Sequence, residues 1–192
     1  MAYSRIRFEI QNSATMTLVH SARYVQVGFP NQEVSLSMGR LYADVLLGNL
    51  DKSQIGITRL AQTLAVGNLD EIVSIVNQAF NAMDYHRFSV RDEASCRSYL
   101  QILLIGADLE PVVEMHSALG RSDIEVDAQD RHWVFEIKFA KTQSEIPTLL
   151  DEGITQIRDR RYGKSTHAPI LKRAVLVFDQ SSRQFAAWQE TP

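Results

Sequence analysis

Residues 120–140 read GRSDIEVDAQDRHWVFEIKFA. Ile124 and Val126 alternate with Asp123, Glu125 and Asp127, and after a polar break Trp133, Phe135, Ile137 and Phe139 recur at every second position. A period of two is that of a β-strand, whose successive side chains point to opposite faces. The break, centred on Gln129 and Asp130, is short enough for a hairpin turn, so the two strands are expected to be antiparallel neighbours. Alternation then puts Glu136 and Lys138 on one face, with Phe135, Ile137 and Phe139 on the other. It also gives the preceding strand a row of three acids. In-register pairing brings Asp123 beside Glu136.

Working outward from this hairpin, Ile146, Leu149, Leu150, Gly153, Ile154 and Ile157 follow the spacing of an amphipathic helix. A strand over Ala174 to Phe178 and a shorter one around Phe185 to Trp188 come after it. Upstream, Val113 and Met115 mark a first strand. Before that, Tyr99, Leu100, Ile102, Leu103 and Leu104 lie on a helix from about Arg91 to Ile105 that Gly106 ends. The second half therefore reads αβββαβ, an α/β domain with a mixed sheet.

Further upstream the spacing predicts three helices: from Asn31 to near Gly48, from Ile55 to Val66 with Gly67 as its C-terminal stop, and from Asn68 or Asp70 onward. Two extended pieces, Thr15 to His20 and Tyr24 to Phe29, precede them without visible partners. The pattern breaks over residues 84–90. The expected organisation is an extended segment plus helical subdomain over 1–84 and an α/β domain over 85–192.

The 192 residues suffice for one such core and a smaller helical unit. At 45% hydrophobic and 22% charged, the chain has the composition of a folded globular protein. The single cysteine, Cys96, excludes an intramolecular disulfide and a cysteine-based zinc cage, which fits a reducing compartment. The N-terminal residues lack the apolar core of a secretion signal, and no run of about 18 apolar residues spans a bilayer. A cytoplasmic location is the expectation. A net charge of -3 does not advertise a nucleic-acid binder, so the distribution of charge matters more than its sum.

Two crowded carboxylates repel and raise each other's pKa unless a cation resolves the conflict. Oxygen ligands without histidine or cysteine select Mg²⁺ or Mn²⁺ over zinc. Such an ion lowers the pKa of its water and polarises a phosphoryl oxygen, and Lys138 beside it can position water and neutralise negative charge. An acid-x-lysine triplet alone is common on solvated strands. Its weight comes from combination with Asp123 on the neighbouring strand and with the helix that follows.

In that combination the chain resembles the PD-(D/E)XK nuclease superfamily. Within it the likeness is to the C-terminal nuclease half of a bacterial family in which such a domain follows an AAA-ATPase-like domain. The likeness rests on VEMHSALGRSDIEV (residues 113–126), VFEIKFAK (134–141) and QIRDRRY (156–162), with GFPNQEV (28–34) matching the region that links the two domains. It implies a restriction-endonuclease-like core. Asp123 and Glu136 become the metal-binding acids, Ile137 a third member of the metal site, and Lys138 the catalytic lysine. The same resemblance implies catalytic roles for Gln156 and for Glu114 in the first core strand, and it nominates Glu93 as an acid of the first core helix. Tyr162 is implied as a substrate contact. Apart from the resemblance, Arg121 stands where it can reach phosphate, and Arg158, Arg160, Arg161 and Lys164 form a basic cluster at the end of the second helix, where phosphate contacts are useful. Plainer alternatives stand beside these: Glu93 favours a helix start, Arg121 pairs with the acids and holds the turn, Gln156 and the basic cluster serve a solvated face, and Tyr162 packs.

The expected function is a Mg²⁺- or Mn²⁺-dependent nuclease acting on nucleic acid, DNA ahead of RNA. No G-x-x-x-x-G-K-[ST] phosphate loop is present, so a separate ATPase or regulatory protein is the partner to consider. The alternative is a nuclease-fold module that binds a protein or nucleic acid without cutting it, since folds do not fix functions. A toxin or defence component would differ in role more than in chemistry. His20, His86, His116, His132 and His167 show no metal-ligand spacing, and no G-x-S-x-G nucleophile elbow occurs.

Overall fold

The computed structural model describes residues 8–11, 15–20, 23–28, 32–47, 56–113, 116–117, 120–160 and 168–191. Strands β1 (Phe8–Gln11), β2 (Thr15–His20) and β3 (Arg23–Gly28) form one antiparallel sheet in chain order. The two expected extended pieces thus pair with each other, and β1, four residues too short for a periodic signal, extends them. Helices follow at Gln32–Leu46 (α1), Ile57–Val66 (α2) and Leu69–Ala82 (α3). Gly67 ends α2 at φ 89°, a left-handed conformation that suits glycine, and the Asn68 side chain caps α3 by accepting from the Glu71 N–H.

Helix α4 (Glu93–Gly106) starts at a reciprocal cap in which Asp92 accepts from the Ser95 N–H and Ser95 Oγ accepts from the Asp92 N–H. Strand β4 keeps only Val112–Val113. The expected continuation through Met115 lies outside the described residues, and a small hairpin of β5 (His116–Ser117) and β6 (Gly120–Arg121) follows. Then come β7 (Ile124–Ala128), β8 (Arg131–Ala140), a 3₁₀ turn at Gln143–Glu145, α5 (Ile146–Arg160), β9 (Ile170–Asp179) and β10 (Gln184–Thr191).

The main sheet has the order β10-β9-β8-β7-β4, parallel between β8 and β9 and antiparallel elsewhere. β7 and β8 form the predicted hairpin about Gln129, which adopts φ 57°. β8 is central and buried on both faces, with helices on either side. Trp133, Phe135 and Ile137 pack toward α2, α3 and α4, in one continuous core with Leu60, Ile75, Phe80, Leu103 and Phe178. Val134 and Ala140 point the other way and pack with Val175 and Val177 against Ile157 of α5.

Polar side chains fasten the helices to the sheet. Trp133 Nε1 donates to the Leu64 carbonyl at the end of α2 at 2.9 Å, and the Asn77 amide of α3 bonds both the N–H and the carbonyl of Phe185. No helix among the described residues is long and apolar enough to cross a membrane.

Candidate active site

The β7–β8 ladder ends at the pair Ile124–Phe135, so Asp123 stands where β7 leaves the sheet, opposite Glu136. Beyond that pair no described strand bonds the main-chain N–H groups of β8 on this side. Carboxylates take their place: Asp123 Oδ2 accepts from the Ile137 N–H at 2.8 Å, and Glu93 at the start of α4 accepts from the main chain of Phe139. The gap left by the departing strand is thus filled by acids, and this is what gathers them.

Glu136 and Lys138 share the sheet face that α5 covers. They are 2% and 9% exposed. Lys138 Nζ donates to Glu136 Oε1 at 2.8 Å and to Gln156 Oε1 of α5 at 2.9 Å. Among the described residues, Glu136 Oε2 is buried without a hydrogen-bond partner. Burial, and then the charge of Asp123, push the Glu136 carboxyl up to about 7 against the pull of Lys138. Burial opposes the Lys138 charge, but the hydrogen bond and charge of Glu136, with Glu93 and Asp123, outweigh it and hold the ammonium above its ordinary range. Glu93 is raised as well, by burial and by Asp123, with Lys138 acting against them.

One residue of the cluster was not singled out in the sequence. Arg97 of α4 places Nη1 3.0 Å from Asp123 Oδ1. The only local signal for it is its position one helical turn after Glu93, which puts both on one face of α4.

The acidic row of β7 divides. Asp123 joins the site, whereas Glu125 and Asp127 clamp the two ring nitrogens of His132 at 2.9 and 2.6 Å, with Ser122 Oγ donating to Glu125 at 2.6 Å. Burial works against the imidazolium, but the two carboxylates prevail and raise the His132 pKa. This group sits at the turn end of the hairpin and faces its own partners rather than Glu136.

Asp123, Glu136, Lys138 and Gln156, nominated from sequence, are therefore brought together, with Glu93 alongside. The Ile137 side chain lies in the opposite core, while its N–H orients Asp123. Arg158 is exposed on α5, two residues and about 200° around the helix from Gln156, so it does not share the Lys138 side. Arg160, at i+4, lines with Gln156, Glu152, Thr155 and Asp159 an open groove of about 520 Å³. Arg121 has its backbone in β6; its side chain, like Glu114, Arg161 and Tyr162, lies outside the described residues.

The donor set fits a hard divalent cation. Asp123 and Glu136 offer oxygen only, and the unsatisfied Glu136 Oε2 is a buried anion-capable atom waiting for a positive partner. Among the described residues no three His, Cys, Asp or Glu side chains form a complete metal cage. Magnesium commonly binds through one or two carboxylates, with water and phosphate completing its shell.

Residues 92–188 match a family model described as the PD-(D/E)XK nuclease superfamily, a span running from the cap of α4 into β10. No curated protein matches the chain.

Proposed function

The chain belongs to the PD-(D/E)XK nuclease superfamily, and from that premise we propose that it is a divalent-metal-dependent phosphodiesterase that hydrolyses nucleic acid, DNA ahead of RNA. The observation that carries the reading is the buried Glu136 carboxyl, with one oxygen on Lys138 and the other unsatisfied, set beside Asp123. An arrangement built only for packing has no use for an orphaned carboxylate oxygen in a sheet centre.

Asp123 and Glu136 hold the cation, Mg²⁺ or Mn²⁺. When bound, it supplies a lowered water pKa and positive charge at the phosphoryl oxygen. The Ile137 N–H fixes the rotation of the Asp123 carboxylate. Gln156 and Glu136 together hold Lys138 Nζ in place, so that its N–H donors and positive charge stand ready for the attacking water and the charge that develops on the phosphate. Glu93 adds negative charge to the same end of β8.

The test is incubation of the purified protein with single-stranded DNA, duplex DNA and RNA, each with Mg²⁺, Mn²⁺ or chelator, beside Asp123→Ala and Lys138→Ala. Metal-dependent cleavage that falls by about 10²-fold or more in both variants is expected. Cleavage untouched by either substitution refutes the assignment. Intact nucleic acid together with retained binding points to a non-cutting module.

A further inference from the structure

Asp123 is fully engaged by the protein itself: Oδ2 by the Ile137 N–H at 2.8 Å, Oδ1 by the Arg97 guanidinium at 3.0 Å. The two contacts differ in kind. The N–H belongs to the central strand and cannot leave, whereas Arg97 is a long side chain on a helix, 19% exposed, reaching a carboxylate that is 16% exposed. A divalent cation seated on Asp123 comes within a few ångströms of that guanidinium, and like charges repel strongly in a half-buried pocket. The reverse holds for a phosphodiester. Its anionic oxygens match the planar fork of arginine, which binds phosphate as readily as carboxylate.

Resting on the nuclease reading above, we propose that Arg97 is a placeholder cation and phosphate receptor. It neutralises Asp123 in the free protein and passes that carboxylate to the metal when a backbone phosphate takes its guanidinium. Metal and phosphodiester then bind cooperatively, because each removes the obstacle to the other. Glu93, one turn away on the same face of α4, keeps negative charge beside the guanidinium, so that Arg97 moves only when a phosphate competes for it.

Calorimetric titration of Mn²⁺ into the protein without nucleic acid, at a pH above 7, tests this, with diethyl phosphate as a stable phosphodiester probe. For the unmodified protein, saturating diethyl phosphate is expected to raise Mn²⁺ affinity on the order of tenfold. Arg97→Gln is expected to bind Mn²⁺ about tenfold more tightly than the unmodified protein in the absence of probe, and to lose the response to it. Arg97→Lys, which keeps the charge, stays within about twofold of the unmodified protein in probe-free affinity. The proposal is overturned if diethyl phosphate leaves Mn²⁺ affinity unchanged in the unmodified protein, an arm that needs no variant to fold. It is equally overturned if Arg97→Gln binds Mn²⁺ no more tightly while Asp123→Asn abolishes binding; the metal site then stands and only the role of Arg97 falls. Mn²⁺ binding indifferent to Asp123→Asn overturns the nuclease reading along with it.

Discussion

Lys138 is held by two acceptors of different character, the Glu136 carboxylate on its own strand and the Gln156 amide on α5. Gln156 carries no charge, so its contribution is placement. Gln156→Ala is expected to lower kcat by about ten- to a hundredfold with little change in KM, because a misplaced reacting group is costly even when substrate binds normally. Steady-state cleavage kinetics check this. Glu136 makes a second prediction. Its carboxyl titrates near 4.5 in the unfolded chain and at about 7 in the fold. Between these values the folded state holds a proton that the unfolded state has released, so stability falls as pH rises through this window. The fall amounts to a few kcal/mol. His132, also raised, adds a loss in the same direction above 6.5. Thermal melting of the metal-free protein is expected to drop by roughly 5 °C or more between pH 5 and 8. Glu136→Gln removes most of the slope, and Mg²⁺ reverses it by favouring the ionised carboxylate. Asp123, Glu136 and Lys138 were legible because strand alternation and hairpin register suffice to align them. Arg97 was not, since its meaning depends on a partner 26 positions away that only the packing of α4 against β8 supplies.

At the level of elements, the site depends on how closely α5 lies on the sheet. A Cβ added to Gly153 meets Val175 Cγ1 at 2.5 Å, and that valine is fully buried. Gly153→Ala therefore forces helix and strand apart, at about 1–3 kcal/mol by denaturant unfolding. Because Gln156 follows less than one turn later, activity is expected to fall as well. Unchanged stability and activity would contradict the account of this contact. The helix itself was legible from its apolar spacing. What it covers was not: Val134 and Ala140, interleaved with Glu136 and Lys138, turn a face that looks polar into a second small core. The β5–β6 hairpin escaped for a different reason. Four residues in two paired dipeptides are too few for any periodicity to register.

For the whole molecule, helices α2 and α3 share a core with the sheet, while the match to the superfamily spans residues 92–188. Among the described residues, the basic groups near the site are few and individually placed. Arg97 and Lys138 are internal to the acid cluster, and the groove beside Gln156 carries Glu152 and Asp159 with Arg160. Binding of duplex DNA is therefore expected to weaken only gently with salt, with a log–log slope of magnitude about 2–3, as for a protein neutralising two or three phosphates. A slope near 10 would indicate a basic surface that this arrangement does not explain. The central claim is that Asp123 and Glu136 form one metal site, and the most direct measurement is anomalous scattering from a crystal soaked in Mn²⁺. The account predicts one strong peak about 2.1 Å from carboxylate oxygens of both residues; a peak elsewhere, or none at these two side chains, contradicts it.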